Sequence, residues 1–222
     1  MKLVHPRIDR NIDFDITDRY SLIIENAREF YDITNDILTQ TNFRDGGEWV
    51  LSENSRILDI SKEVVAIYDF YHIDYNNKKI QNLIGQEVIK ISKENDIYFK
   101  ISEINTMINS INSDILQKLD IPVSSDIDFT IDDFIKISDY RISQEDNLVG
   151  QICTYVDIFQ KLKSARIVVL INSGIYMSEV DIFEMLKQLR YSGVKVLFID
   201  AVDRIQCQDI EKIIVDNDLC VI

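Results

Sequence analysis

Two apolar, β-branched runs on either side of an amphipathic helix constrain this chain more than any other feature. Arg166-Ile167-Val168-Val169-Leu170-Ile171 and Val194-Lys195-Val196-Leu197-Phe198-Ile199 read as strands covered on both faces. Between them, Asn172-Ser173-Gly174 is a turn and Ser178 with Asp181 forms an S-x-x-D capping pattern. Ile182, Met185, Leu186 and Leu189 then line the inner side of a helix that Gly193 ends. Strand, helix, strand in this order is a βαβ unit, with parallel strands and a right-handed crossover.

The first forty residues add a strand at Tyr20–Ile24 and a helix whose Phe30, Ile33, Ile37 and Leu38 share a face. Asn42 to Glu48 is a turn before short strands near Trp49–Leu51 and Arg56–Ile60. Val64 to Phe70 suits either a strand or a buried helix. Ile210 to Val215 suggests a short helix or turn, and Leu219–Ile222 a last edge strand. Between these α/β portions, residues 77–119 and 147–163 carry apolar side chains at helical spacing. Ile97, Ile101, Ile104, Ile108, Ile111 and Ile115 advance by four, three, four, three and four, a seam that wants a second helix. Leu148, Ile152, Tyr155, Phe159 and Leu162 are the expected returning partner. The expected organisation is a discontinuous α/β head (1–76 and 164–222) with an α-helical leg (77–163).

The chain is long enough for a sizeable core, at 222 residues with 46% hydrophobic side chains. Only 6 Gly and 2 Pro argue against a turn-rich β sandwich. No run approaches about 18 apolar residues, and the start MKLVHPRIDR lacks a signal-peptide core, so a soluble cytoplasmic protein with no membrane partner is expected. Cys153, Cys207 and Cys220 have no metal-type spacing and read as isolated thiols in a reducing compartment. There is no G-x-x-x-x-G-K-[ST], no G-x-G-x-x-G and no H-E-x-x-H. Asn172-Ser173-Gly174 lacks the flanks of a nucleophile elbow. With 24 Lys and Arg against 38 Asp and Glu, the formal charge of −14 argues against nucleic acid, although a partner feels only the local field.

The acids concentrate between Asp120 and Asp146. Asp126 and Asp128 stand two apart in extended chain, Thr130 is placed to cap a helix, and Asp132 and Asp133 fall in its first turn, where the helix dipole favours them. A solvated acidic loop and helix cap account for these residues. A hard-cation site is the alternative, because Ca²⁺ takes several carboxylate and carbonyl oxygens in flexible geometry. The segment lacks the glycine of an EF-hand. Gathered carboxylates repel one another, so gathering them would imply a cation.

An ordered series of segments resembles the accessory spacer-acquisition (adaptation) proteins of type II-A CRISPR systems. It comprises Ile24-Glu25-Asn26, Asp69-Phe70-Tyr71-His72-Ile73-Asp74-Tyr75-Asn76 and Asp128-Phe129-Thr130-Ile131-Asp132-Asp133-Phe134-Ile135-Lys136. It continues with Tyr155–Leu162, Ile167–Gly174 and Val194–Ile199. The resemblance implies a head related to P-loop ATPases but without Walker motifs, an extended helical leg, and no enzymatic activity. It further implies a homotetrameric ring that encircles double-stranded DNA without reading sequence, entered at linear ends and stabilised by Ca²⁺. Integrase proteins and the effector nuclease of the CRISPR locus are the implied protein partners. Carried onto this chain, the calcium acids match Asp128 and Asp133, with Asp126 and Asp132 beside them. Ile127 stands where the family has an acid. Lys78, Lys79 and Arg56 are the candidates for lining the DNA channel. A basic ring interior would let an acidic protein hold DNA.

Two other readings compete with the ring. A protein-interaction subunit with little DNA contact suits the low count of Lys and Arg. A metal-dependent nuclease using the Asp cluster would need carboxylates held rigidly around two ions.

Overall fold

The structure, a computed structural model, describes residues 1–43, 46–94, 96–119 and 121–222. Arg44 and Asp45 of the expected Asn42–Glu48 turn lie outside the described residues, as does Asp120 of the acidic segment. The chain is a mixed α/β protein with two sheets, and it divides into two compact units. One comprises Met1–Ile73 with Gln144–Ile222, the other Asp74–Ser143.

The first unit opens with β1 (Lys2–Val4) and β2 (Ile12–Asp13), then β3 (Arg19–Ile24) and α1 (Ala27–Phe43). β4 (Val50–Glu53) and β5 (Arg56–Leu58) lead through the single turn α2 (Ile60–Glu63) into β6 (Val64–Ile67). The second unit holds α3 (Lys78–Glu94), α4 (Ile97–Lys118) and α5 (Ile131–Ser138). The chain re-enters the first unit with α6 (Leu148–Lys163), β7 (Ile167–Ile171), α7 (Glu179–Tyr191), β8 (Lys195–Asp200) and β9 (Glu211–Val215).

The larger sheet runs β6-β7-β8-β3-β9, every neighbouring pair parallel. Its strands obey the two-residue alternation of the pleat. Leu22, Ile24, Ile167, Val169, Ile171, Leu197 and Ile199 join one core with Ile33, Ile37 and Trp49. The intervening Ile23, Val168, Leu170, Val196 and Phe198 are buried as well, so both faces are covered, as an all-parallel sheet requires. α6 and α7 pack against each other, and α7 packs on β8. The smaller sheet, β2-β1-β4-β5, is antiparallel throughout. Arg166 links the two sheets, donating from Nη1 to both carboxylate oxygens of Glu53 (2.9 and 3.1 Å) and from Nε to Glu63 (2.7 Å).

The βαβ reading of the C-terminal third holds in register and in detail. β7 pairs with β8 from Ile167↔Lys195 to Ile171↔Ile199. Ser178 and Asp181 form a complete capping box, and Gly193 has φ +69°, a left-handed value that a side chain resists. The undecided run at Val64 is a strand at the sheet edge.

Other expectations change. Ile210–Val215, expected as a helix or turn, contains β9, because β3 offers an open edge of backbone donors and acceptors that Glu211–Val215 satisfies in parallel. Leu219–Ile222 is not a strand but contributes one antiparallel bridge, Val215↔Val221. α6 lies in the first unit, not in a leg extending to 163. Its Ile152, Val156 and Phe159 are buried, and α6 packs against α7 of the same unit. No helix among the described residues is long and apolar enough to cross a membrane.

Candidate functional site

The carboxylates of interest sit in the second unit, on an extended segment followed by a capped helix. Thr130, with β-region backbone, is the N-cap of α5. Its Oγ1 donates to Asp133 Oδ2 (2.7 Å) and its N–H to the same oxygen (3.1 Å), while Asp133 N–H donates back to Thr130 Oγ1 (3.4 Å). Lys136 Nζ donates to Asp133 Oδ1 at 3.2 Å. The Thr130 hydroxyl first, then its backbone N–H and Lys136, hold Asp133 below the usual carboxylate range. Oδ2 of Asp133 is therefore engaged in capping the start of α5, and Oδ1 in an ion pair with Lys136.

The segment before Thr130 is held by a row of asparagines on α4, a feature the sequence reading passed over. Asn105, Asn109 and Asn112 recur at helical spacing and face residues 125–129. Asn112 Nδ2 donates to Ser125 O (3.4 Å), Asn109 Nδ2 to Ile127 O (2.9 Å) and Asn105 Nδ2 to Asp128 Oδ1 (3.4 Å). Phe129 N–H donates back to Asn105 Oδ1 (3.1 Å). Side-chain amides thus supply the partners that an adjacent strand would give an extended chain. The N-x-x-x-N-x-x-N pattern was the available signal. A cavity of about 390 Å³ lies beside this segment, lined in part by Tyr98, Ile101, Asn105, Asp128, Phe129 and Ile131.

Asp126, Asp128 and Asp132 are exposed. Among the described residues, no group of three or more His, Cys, Asp or Glu is placed to hold a metal ion. Asp133 has its two carboxylate oxygens engaged by Thr130 and Lys136, while Asp126, Asp128 and Asp132 face solvent. Of the basic candidates, Lys78 and Lys79 begin α3 in the second unit and Arg56 begins β5 in the first. Arg56 and Lys78 are exposed and make no ion pair among the described residues.

Compared with known protein families, residues 43–219 match the CRISPR-associated protein family Cas_Csn2. The chain belongs to this family. Cas_Csn2 is the spacer-acquisition accessory family of type II-A CRISPR systems, and this member is a non-catalytic accessory protein of CRISPR adaptation. The match spans β4 through β9 and both units, so it includes the capped acidic segment and the βαβ core alike. The three cysteines of this Cas_Csn2 protein are free thiols, and burial, aided by Glu184, pushes Cys153 up to about 11.

Proposed function

We propose that this Cas_Csn2 member is a homotetrameric ring that encircles double-stranded DNA without reading its sequence and assists spacer acquisition. Membership of the family over residues 43–219 carries the reading. In it, the first unit is an ATPase-like head that keeps a parallel sheet without a phosphate-binding loop, and the second unit is the helical leg. Integrase proteins and the effector nuclease of the locus are its working partners.

The bare apolar surface of the second unit supports assembly. α4 has no fully buried residue, and Met107, Ile111 and Ile115 are 67%, 54% and 52% exposed. A row of this kind favours contact with another copy. Arg56, Lys78 and Lys79 are the proposed DNA contacts. Calcium, when bound, would offset the repulsion between acids. Asp126, Asp128, Asp132 and Asp133 would contribute oxygens, with further ligands from a rearranged segment or a second copy.

The test is one plasmid, relaxed closed circle against its linear form, titrated at two salt concentrations with calcium present. Threading predicts tighter binding to the linear form, with a logarithmic salt slope of about 0.9 for every phosphate neutralised. Equal affinity for both forms removes threading, and no binding to either removes DNA from the function.

A further inference from the structure

The outer face of α7 breaks the pattern of an amphipathic helix. Ile182, Met185, Leu186 and Leu189 are buried, as the inner face should be. On the opposite side, Val180, Phe183 and Tyr191 are 73%, 60% and 85% exposed, and with Lys187 they advance by three, four and four along one face. An aromatic one helical turn before and after a lysine is a costly surface to leave in water without use.

Beside this face runs a groove between α7, the start of β3 and the loop before β9. Its larger hollow, about 640 Å³, is lined by Arg19, Phe183, Lys187, Arg190, Tyr191 and Asp209. A second hollow of about 490 Å³ shares Arg19, Arg190 and Asp209. Arg19 meets Asp209 at 3.6 Å, whereas Lys187 and Arg190 make no ion pair among the described residues. In a chain of charge −14, Lys187 and Arg190 place two cations without an ion pair beside exposed aromatics on a partly apolar surface.

We propose that this face docks an acidic segment of a protein partner. An apolar anchor of that segment would sit against Phe183 and Tyr191, and its carboxylates would reach Lys187 and Arg190. Aromatic and arginine side chains around a hollow are the usual carriers of interface energy. A nucleic acid strand suits the face less well, since it brings a charge at every nucleotide and needs a continuous cationic track. Glu179 and Glu184 interrupt any such track on the exposed side of α7. The inference goes beyond the DNA reading and does not depend on it.

Short random peptides displayed on phage and panned against the full chain test the proposal. Enriched peptides should combine an aromatic or aliphatic anchor with at least two acids. Their affinity should fall roughly ten-fold or more for Phe183→Ala with Tyr191→Ala, and likewise for Lys187→Glu with Arg190→Glu. Lysine-for-glutamate versions of the peptides should regain binding to the charge-reversed protein, which a merely structural effect would not produce. All four side chains are exposed, so unchanged melting temperatures should accompany these losses. The proposal is overturned by no enrichment, by enriched peptides indifferent to these substitutions, or by oligothymidylate binding that the substitutions abolish. Loss of an oligomer in light scattering by the same variants would instead assign the face to a second copy and overturn it equally.

Discussion

Asp200 is the residue whose chemistry departs furthest from its surroundings. It closes β8 at 3% exposure, with Oδ1 accepting from Gly174 N–H at 3.3 Å and Oδ2 without a hydrogen-bond partner among the described residues. Burial pushes its carboxyl up to about 6. Asp203 adds to that shift, while the Gly174 N–H and Arg204 oppose it. Because the folded value lies above the ordinary 3.8, the folded chain holds this proton more tightly than the unfolded chain. The group's contribution is favourable at low pH and lost as pH rises through about 6, leaving an ionised carboxylate that costs on the order of 3 kcal/mol at neutral pH. Asp200→Asn is therefore expected to raise the melting temperature at neutral pH and to flatten the stability change between roughly pH 4 and 6.5. Thermal melts across that range check it; identical pH profiles for the two proteins would refute the assignment.

At the scale of elements, the acidic segment has two supports, the α5 cap and the asparagine row of α4, and they predict different outcomes. Thr130→Ala removes the cap and should cost about 1 kcal/mol in thermal or denaturant melts while sparing any calcium response. Asp128→Ala and Asp133→Asn should each abolish the calcium-induced rise in melting temperature, with a smaller loss for Asp126→Ala. A calcium response that survives in both of the first two would sink the proposed site. Asn109→Ala leaves the Ile127 carbonyl without its 2.9 Å donor and should cost about 1 kcal/mol of local stability. Faster amide hydrogen exchange across 125–129, with α1 and the parallel sheet unaffected, is the expected reading.

For the whole molecule, the question is how apolar surface divides between the chain and its copies. The first unit buries nearly every strand side chain of its parallel sheet, and its helices cover both faces. The second unit has few fully buried side chains, Tyr75 and Ile80 among them, and leaves Ile104, Met107, Ile111 and Ile115 exposed. Light scattering at micromolar concentration with calcium is expected to give a tetramer. Ile111→Lys with Ile115→Lys should reduce it to a smaller species without lowering helix content by circular dichroism. A monomer for the unaltered chain would reject assembly.

What the sequence determined by itself was local. β7, α7 and β8, both capping boxes, and α1 were all legible, because each is set by neighbours within a few residues: β-branched runs, a Ser or Thr three positions before an Asp, or apolar residues at helical spacing. The tertiary structure decided what depends on distant partners. Glu211–Val215 is a strand because β3 presents an edge, and five residues carry too little periodicity to show it. β1 and β2, three and two residues long, exist through pairing with β4 and with each other. α4 was read from its isoleucines, yet it turns Asn105, Asn109 and Asn112 toward residues 125–129 and leaves Ile104, Ile111 and Ile115 in solvent. Helical spacing defines a helix's faces; which face goes inward depends on the neighbours, and an extended chain with unpaired carbonyls favours amides.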